Sequence, residues 1–121
     1  MSGYSDGYRL ECHARTYLTA QGYEVFRSAG SKGTADLICF KPGEVLFVQA
    51  KKADGNIGPD ARLALLDLAC MLGGTTAARA IVACWIKDGR AARQLQLWEL
   101  TGAGPRDRQP WTPDTVMETS A

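Results

Sequence analysis

The 121-residue chain holds a single histidine, no Cys-x-x-Cys pair, and only four cysteines, at the widely separated positions 12, 39, 70 and 84. With His13 as the one imidazole, the pattern argues against a zinc site and against a secreted disulfide framework. Cys12, Cys39, Cys70 and Cys84 are instead expected to stay reduced and to pack as small apolar groups. Long hydrophobic runs are missing too. None approaches the ~20 residues that a membrane span requires. The start, Met1-Ser2-Gly3-Tyr4-Ser5-Asp6, lacks a basic stretch followed by an apolar one. A soluble, non-exported cytoplasmic protein with no membrane partner is expected, and the length suits one domain. An excess of charge is also lacking: 14 Lys and Arg stand against 13 Asp and Glu, a net of +1.

That balance hides an uneven distribution. Residues 1–26 sum to −1, residues 27–52 to +3, residues 53–86 to −1, and residues 87–121 to zero. The excess comes from Arg27, Lys32, Lys41, Lys51 and Lys52. A neutral total does not exclude a basic stripe on one face, so a nucleic-acid partner stays open.

Periodicity yields a coarse map. Ser5 or Asp6 suits the cap of a helix running to about Ala20, with Leu10, Ala14, Tyr17 and Leu18 on one stripe and Gly22 as its stop. Tyr23–Arg27, Asp36–Phe40 and Val45–Lys51 read as strands, the third apolar on both faces until Gln49 and hence central. Pro59 suits the first position of a second helix, whose Leu63, Leu65, Leu66, Leu68, Met71 and Leu72 predict that it is largely buried. Ala80–Ile86 and Leu95–Leu100 read as two further strands, the latter visibly alternating. From Gly102 onward Pro, Gly, Thr and charge predict a loosely ordered or partner-contacting tail, which divides the chain into a domain over 1–101 and a tail over 102–121. The fold class is therefore α/β, a small domain with a mixed five-stranded sheet flanked by helices.

One group of residues carries chemistry. Strand alternation puts Gln49 and Lys51 on one face, and a hairpin from the preceding strand brings Asp36 beside them. Glu11, one position off the stripe of the first helix, can lean into the same place. Hard oxygen donors around one point suit Mg²⁺, and an adjacent lysine suits a phosphate or an attacking water. The same spacings admit an ordinary reading: Asp36 bonding turn N–H groups, Lys51 on a solvated strand end, and Glu11 as the i,i+4 partner of Arg15. His13 reads as solvated and Trp85 and Trp98 as core, while Trp111 can anchor the tail on its own domain or on a second subunit.

The string Gly22-Tyr23-Glu24-Val25-Phe26-Arg27-Ser28-Ala29-Gly30-Ser31-Lys32, followed by Asp36-Leu37-Ile38 and Val45-Leu46-Phe47-Val48-Gln49-Ala50-Lys51, resembles the archaeal-type Holliday junction resolvases of the PD-(D/E)XK nuclease superfamily. The likeness starts at Gly7-x-x-x-Glu11 and covers about the first half of the chain, with Arg-Ser-x-Gly-Ser its most specific part. It implies a restriction-endonuclease-like domain in which Glu11, Asp36, Gln49 and Lys51 are catalytic. Glu11, Asp36, Gln49 and the carbonyl of Ala50 would hold Mg²⁺, with Mn²⁺ a substitute. Arg27, Ser31, Lys32 and Lys52 would contact DNA. The implied activity is Mg²⁺-dependent resolution of four-way junctions by paired symmetric cuts, performed by a homodimer in recombination and repair. Flap, branched-DNA and repair nucleases of the same superfamily are the alternatives, together with a catalytically impaired DNA-binding relative. Two departures stand out: Gln49 occupies the place of an acid, and Cys12 that of a frequent arginine. The abundance of Ala, Gly and Arg fits a GC-rich prokaryote or its phage.

Overall fold

The computed structural model describes residues 2–27, 35–51, 57–71, 77–86 and 94–113, with side chains from Tyr8 onward. The first helix, α1, spans Ser2–Ala20 and so begins ahead of the expected Ser5 or Asp6 cap. Leu10, Ala14 and Leu18 recur at helical spacing and are fully buried. Its end is a Schellman turn: Gly22 takes φ 100°, its N–H donates to Thr19 O, and the Tyr23 N–H donates to Leu18 O. Only a residue that tolerates positive φ closes a helix this way, which is why Gly22 stops it.

Six strands follow: β1 Glu24–Arg27, β2 Leu37–Lys41, β3 Glu44–Ala50, β4 Ala77–Ile86, β5 Gln94–Leu100 and β6 Arg108–Pro110; the second helix, α2 Pro59–Met71, lies between β3 and β4. They form one sheet in chain order, antiparallel throughout except for the parallel pair β3–β4 that α2 connects. A two-residue turn at Pro42 and Gly43 (φ 78°) joins β2 to β3 and sets Lys41 opposite Glu44. The sheet buries both faces. Leu37, Cys39, Leu46, Val48, Ile81, Ala83 and Leu97 pack under α1, whereas Val45, Phe47, Ala80, Val82 and Leu100 pack with Leu65 of α2. Those assignments alternate residue by residue, as a pleated strand requires. β3 is central, as its two apolar faces predicted. No helix among the described residues is long and apolar enough to cross a membrane.

Three differences from expectation have physical causes. The second helix is not largely buried: Leu65 is covered, but Leu63 is 47% and Met71 77% exposed, because one sheet lies on one side of it. Leu72 falls outside the described residues. The cysteines divide as well. Cys39 and Cys84 are buried, and burial pushes the Cys39 thiol up to about 12, while Cys70 is exposed. Finally, the sheet gains a sixth strand from the expected tail. Arg62, 1% exposed on α2, donates to the carbonyls of Gly102, Pro105 and Asp107. It thereby folds that segment into a loop, from which β6 pairs with β5 and Trp111 packs on the core under α1. Composition reports polarity; it does not report a buried guanidinium that supplies donors. Residues 114–121 of the tail lie outside the described residues.

Candidate active site

The β2–β3 register pairs Leu37 with Val48, and one step beyond, the Asp36 N–H donates to Val48 O at 2.7 Å. Asp36 is thus carried to the place where β3 ends. There its Oδ2 accepts the Ala50 N–H at 2.8 Å and faces Gln49 Nε2 at 3.4 Å. Of the expected grouping of Asp36, Gln49 and Lys51, the structure brings Asp36 and Gln49 together, and the Ala50 N–H joins them. Lys51 follows, with its N–H donating to Ala83 O at 2.8 Å, so the parallel ladder holds its backbone firmly. Its side chain is exposed and, among the described residues, its ammonium has no hydrogen-bond or ion-pair partner.

Glu11 arrives from α1, and Arg27 from the end of β1. Arg27 Nε donates to Glu11 Oε2 at 2.7 Å, with the carboxylate side chain 15% and the guanidinium side chain 48% exposed. The guanidinium also lies 5.5 Å from the centre of the Tyr8 ring. Glu11 therefore pairs across elements with Arg27, and not with Arg15 one turn along its own helix. Asp36 senses both. Burial pushes its carboxyl above the usual aspartate range, the Ala50 N–H opposes that, the Glu11 charge adds to it, and Arg27 partly offsets it. The Glu11 charge thus disfavours that of Asp36, while Arg27, bonded to Glu11, favours it.

The residues that could hold a metal offer two carboxylates, one amide oxygen and one main-chain carbonyl. All are hard oxygens, which fit a divalent cation of the Mg²⁺ or Mn²⁺ kind and not a thiolate-seeking one. Among the described residues no three His, Cys, Asp or Glu side chains gather as a metal cluster. The predicted DNA contacts Ser31, Lys32 and Lys52 lie outside the described residues. Sequence reasoning missed two contacts. His13, read as solvated, accepts a hydrogen bond on Nδ1 from Trp85 Nε1 at 3.2 Å. Arg62 went unremarked, although its helical phase with Leu65 was a legible signal of burial.

The sheet with α1 on one face, α2 in the parallel crossover and acids at the end of the β2–β3 hairpin defines the restriction-endonuclease class of α/β domain. The chain belongs to the Mrr_cat restriction endonuclease family, whose model matches residues 4–97. It is thus a nuclease-family domain of the PD-(D/E)XK superfamily, as the motif string implied, and domains of this type generally use divalent metal ions. Among solved structures, Hjc of the archaeal hyperthermophile Archaeoglobus fulgidus, a Holliday junction resolvase, matches with a TM-score of 0.62 at 21% identity. The alignment covers 86% of this chain and 88% of that one, and it shows the shared fold. No curated protein matches the chain.

Proposed function

We propose that the protein is a metal-dependent, structure-specific DNA endonuclease that resolves four-way junctions. The observation that carries this reading is the convergence of Asp36, Gln49 and the Ala50 backbone with the Glu11–Arg27 pair at one end of the sheet, all but Glu11 belonging to the basic segment 27–52. Glu11, Asp36, the Gln49 amide oxygen and the Ala50 carbonyl hold the ion, Mg²⁺ or its substitute Mn²⁺. Bound there, such an ion lowers the pKa of a water and stabilises charge on the scissile phosphate. Lys51, tied by its backbone to β4 and open to solvent, orients the attacking water or meets the developing negative charge. Arg27, Ser31, Lys32 and Lys52 take backbone phosphates, so binding is salt-sensitive despite the balanced total charge.

Junction preference is supported by the likeness to an archaeal junction resolvase and by the Arg27-Ser28-x-Gly30-Ser31 string. Paired symmetric cuts call for two equivalent sites at a fixed separation, which a two-fold homodimer provides. The setting would be recombination and repair in the cytoplasm of a prokaryote or phage-infected cell. The test compares a synthetic four-way junction with matched duplex and flap substrates in Mg²⁺. Two symmetric incisions in the junction are expected; equal cutting of all three substrates would replace this assignment with a general branched-DNA or repair nuclease.

A second reading rests on Gln49. An amide in place of an acid removes one negative charge from the ion's surroundings and lowers affinity. If neither Mg²⁺ nor Mn²⁺ supports cleavage while junction binding persists, the protein is a DNA-binding relative that has lost catalysis. A large gain of cleavage by Gln49→Glu would then identify the amide as the lesion.

A further inference from the structure

We propose that Tyr8 is the residue by which this site tells branched DNA from plain duplex: its ring takes a nucleobase left unstacked at the branch point, close to the phosphate that is cut. The inference rests on the junction-resolving reading above and names the contact that gives that site its substrate preference.

Three observations carry it. The first is position. Tyr8 stands one helical turn before Glu11 on α1, a spacing that puts two side chains on the same face of a helix. Its ring centre lies 5.5 Å from the guanidinium carbon of Arg27, the ion-pair partner of Glu11. Tyr8 is therefore on the rim of the acid cluster, against a residue that belongs to it. The second is exposure. Tyr8 is 49% exposed. Of the three exposed Tyr and Phe rings among the described residues, Phe26 and Phe40 pack edge to face on each other with centroids 5.7 Å apart, and Tyr8 is the one set against a cation. The third is chemistry. The Cys12 thiol, one turn further along α1, raises the phenol pKa, so the ring carries no charge that would repel a phosphate. A neutral ring beside a guanidinium is a combination that unpaired nucleic acid fits: the cation meets the backbone and the ring meets a base.

Stacking gives a preference for structure and not for sequence. Every base has a π-face, so the contact reads no letter. In continuous duplex those faces are covered by neighbouring base pairs, and exposing one costs unstacking energy. At a branch point the stack is already interrupted. A tyrosine that only buttresses Arg27 for a phosphate contact would instead act on junction and duplex alike.

The experiment measures the affinity of the full-length protein for a synthetic four-way junction and a matched duplex by mobility shift, with EDTA present so that no metal-dependent cut intervenes. Tyr8→Leu should weaken junction binding by about 5–20-fold, the lower part of the range for one base–aromatic stack, and duplex binding by less than about twofold. Tyr8→Phe, which keeps the ring, should stay close to wild type on both. Tyr8→Gln serves as the ringless variant if the leucine protein folds poorly. The decisive measurement is a cycle with junctions that carry an abasic site at each nucleotide flanking the branch point in turn. At one such position wild type should lose about as much affinity as Tyr8→Leu loses on the intact junction. There Tyr8→Leu should lose less than about twofold more, because ring and base belong to one contact. Unchanged junction binding by Tyr8→Leu, equal losses on junction and duplex, or losses that simply add to those of every abasic site would each overturn the stacking contact and leave the junction assignment standing. Equal binding of junction and duplex by wild type would overturn the junction reading and this inference with it.

Discussion

The two ends of β3 carry the same kinds of residue in opposite states of balance. At its start, Arg79 sits between two carboxylates, with Nε 3.3 Å from Glu44 and Nη1 3.0 Å from Glu99, while Gln109 donates to the other Glu99 oxygen at 3.2 Å. Burial alone would lower the Arg79 pKa, but the two carboxylates outweigh it and hold the guanidinium more firmly charged than usual. At the other end burial prevails. Asp36 has one short hydrogen bond from a backbone N–H, a longer approach by an amide, and a second acid nearby, and its carboxyl is pushed up. The first end is complete as it stands and reads as structure. At the second, Arg27 bonds Glu11 and only partly offsets the charge on Asp36, and a half-buried carboxylate with a raised pKa at a strand end marks a candidate functional site.

Substitutions can break or sharpen that contrast. Asp36→Asn should reduce junction cleavage by roughly 10³-fold or more, the scale on which loss of a transition-state stabiliser acts, with junction binding retained in a mobility-shift assay. It should also raise the thermal midpoint at neutral pH by about a few degrees. The sign follows from linkage: with its folded pKa raised, Asp36 binds its proton more tightly in the folded chain, so ionising it costs stability as pH rises from the ordinary aspartate range through the raised value. Wild type should therefore gain stability on acidification through that window, and the asparagine variant should lose that gain; parallel melts of the two proteins across pH would contradict the account.

Arg62→Leu tests a third, buried polar centre that resembles the Arg79 end in being satisfied. The exposed carbonyls it serves can rehydrate in part, so a loss of about 2–3 kcal/mol in urea unfolding is expected. Altered Trp111 fluorescence should accompany it as β6 loosens. Gln49→Glu has two signs. Without metal, a third carboxylate beside Asp36 should lower the melting temperature; with Mg²⁺, affinity for the ion should rise by about tenfold, read from the Mg²⁺ dependence of melting and cleavage. Smallest of all, Arg79→Met should cost about 1 kcal/mol, discounted for an arginine side chain 36% exposed, and leave cleavage within twofold of wild type. A large loss of cleavage there would erase the distinction between the two ends.

Much of the architecture was legible because it rests on local rules. Gly22 closes α1, Pro59 opens α2, and the unbroken apolar run of β3 marks a central strand, each through backbone freedom or periodicity that any short window displays. The meeting of Asp36 with Gln49 was legible for the same reason, since a two-residue turn at Pro42-Gly43 sets the hairpin register. The partner of Glu11 was not. Spacing offered Arg15 one helical turn away, whereas the chain folds Arg27 against it from 16 residues on in sequence. Nor did the polar stretch after Gly102 announce that Arg62, 40 residues earlier, would bind its Gly102 carbonyl and help order it.

The sequence by itself determined the two helices and the first five strands, their order, the nuclease family and the acids that could serve it, because side-chain periodicity, turn chemistry and motif spacing are properties of neighbouring residues. Only the tertiary structure decided how charge is shared: Arg79 between Glu44 and Glu99, Arg27 on Glu11, and Asp36 half-buried with its charge partly offset by Arg27. Electrostatic compensation depends on distance and burial in space, and residues far apart along the chain set both.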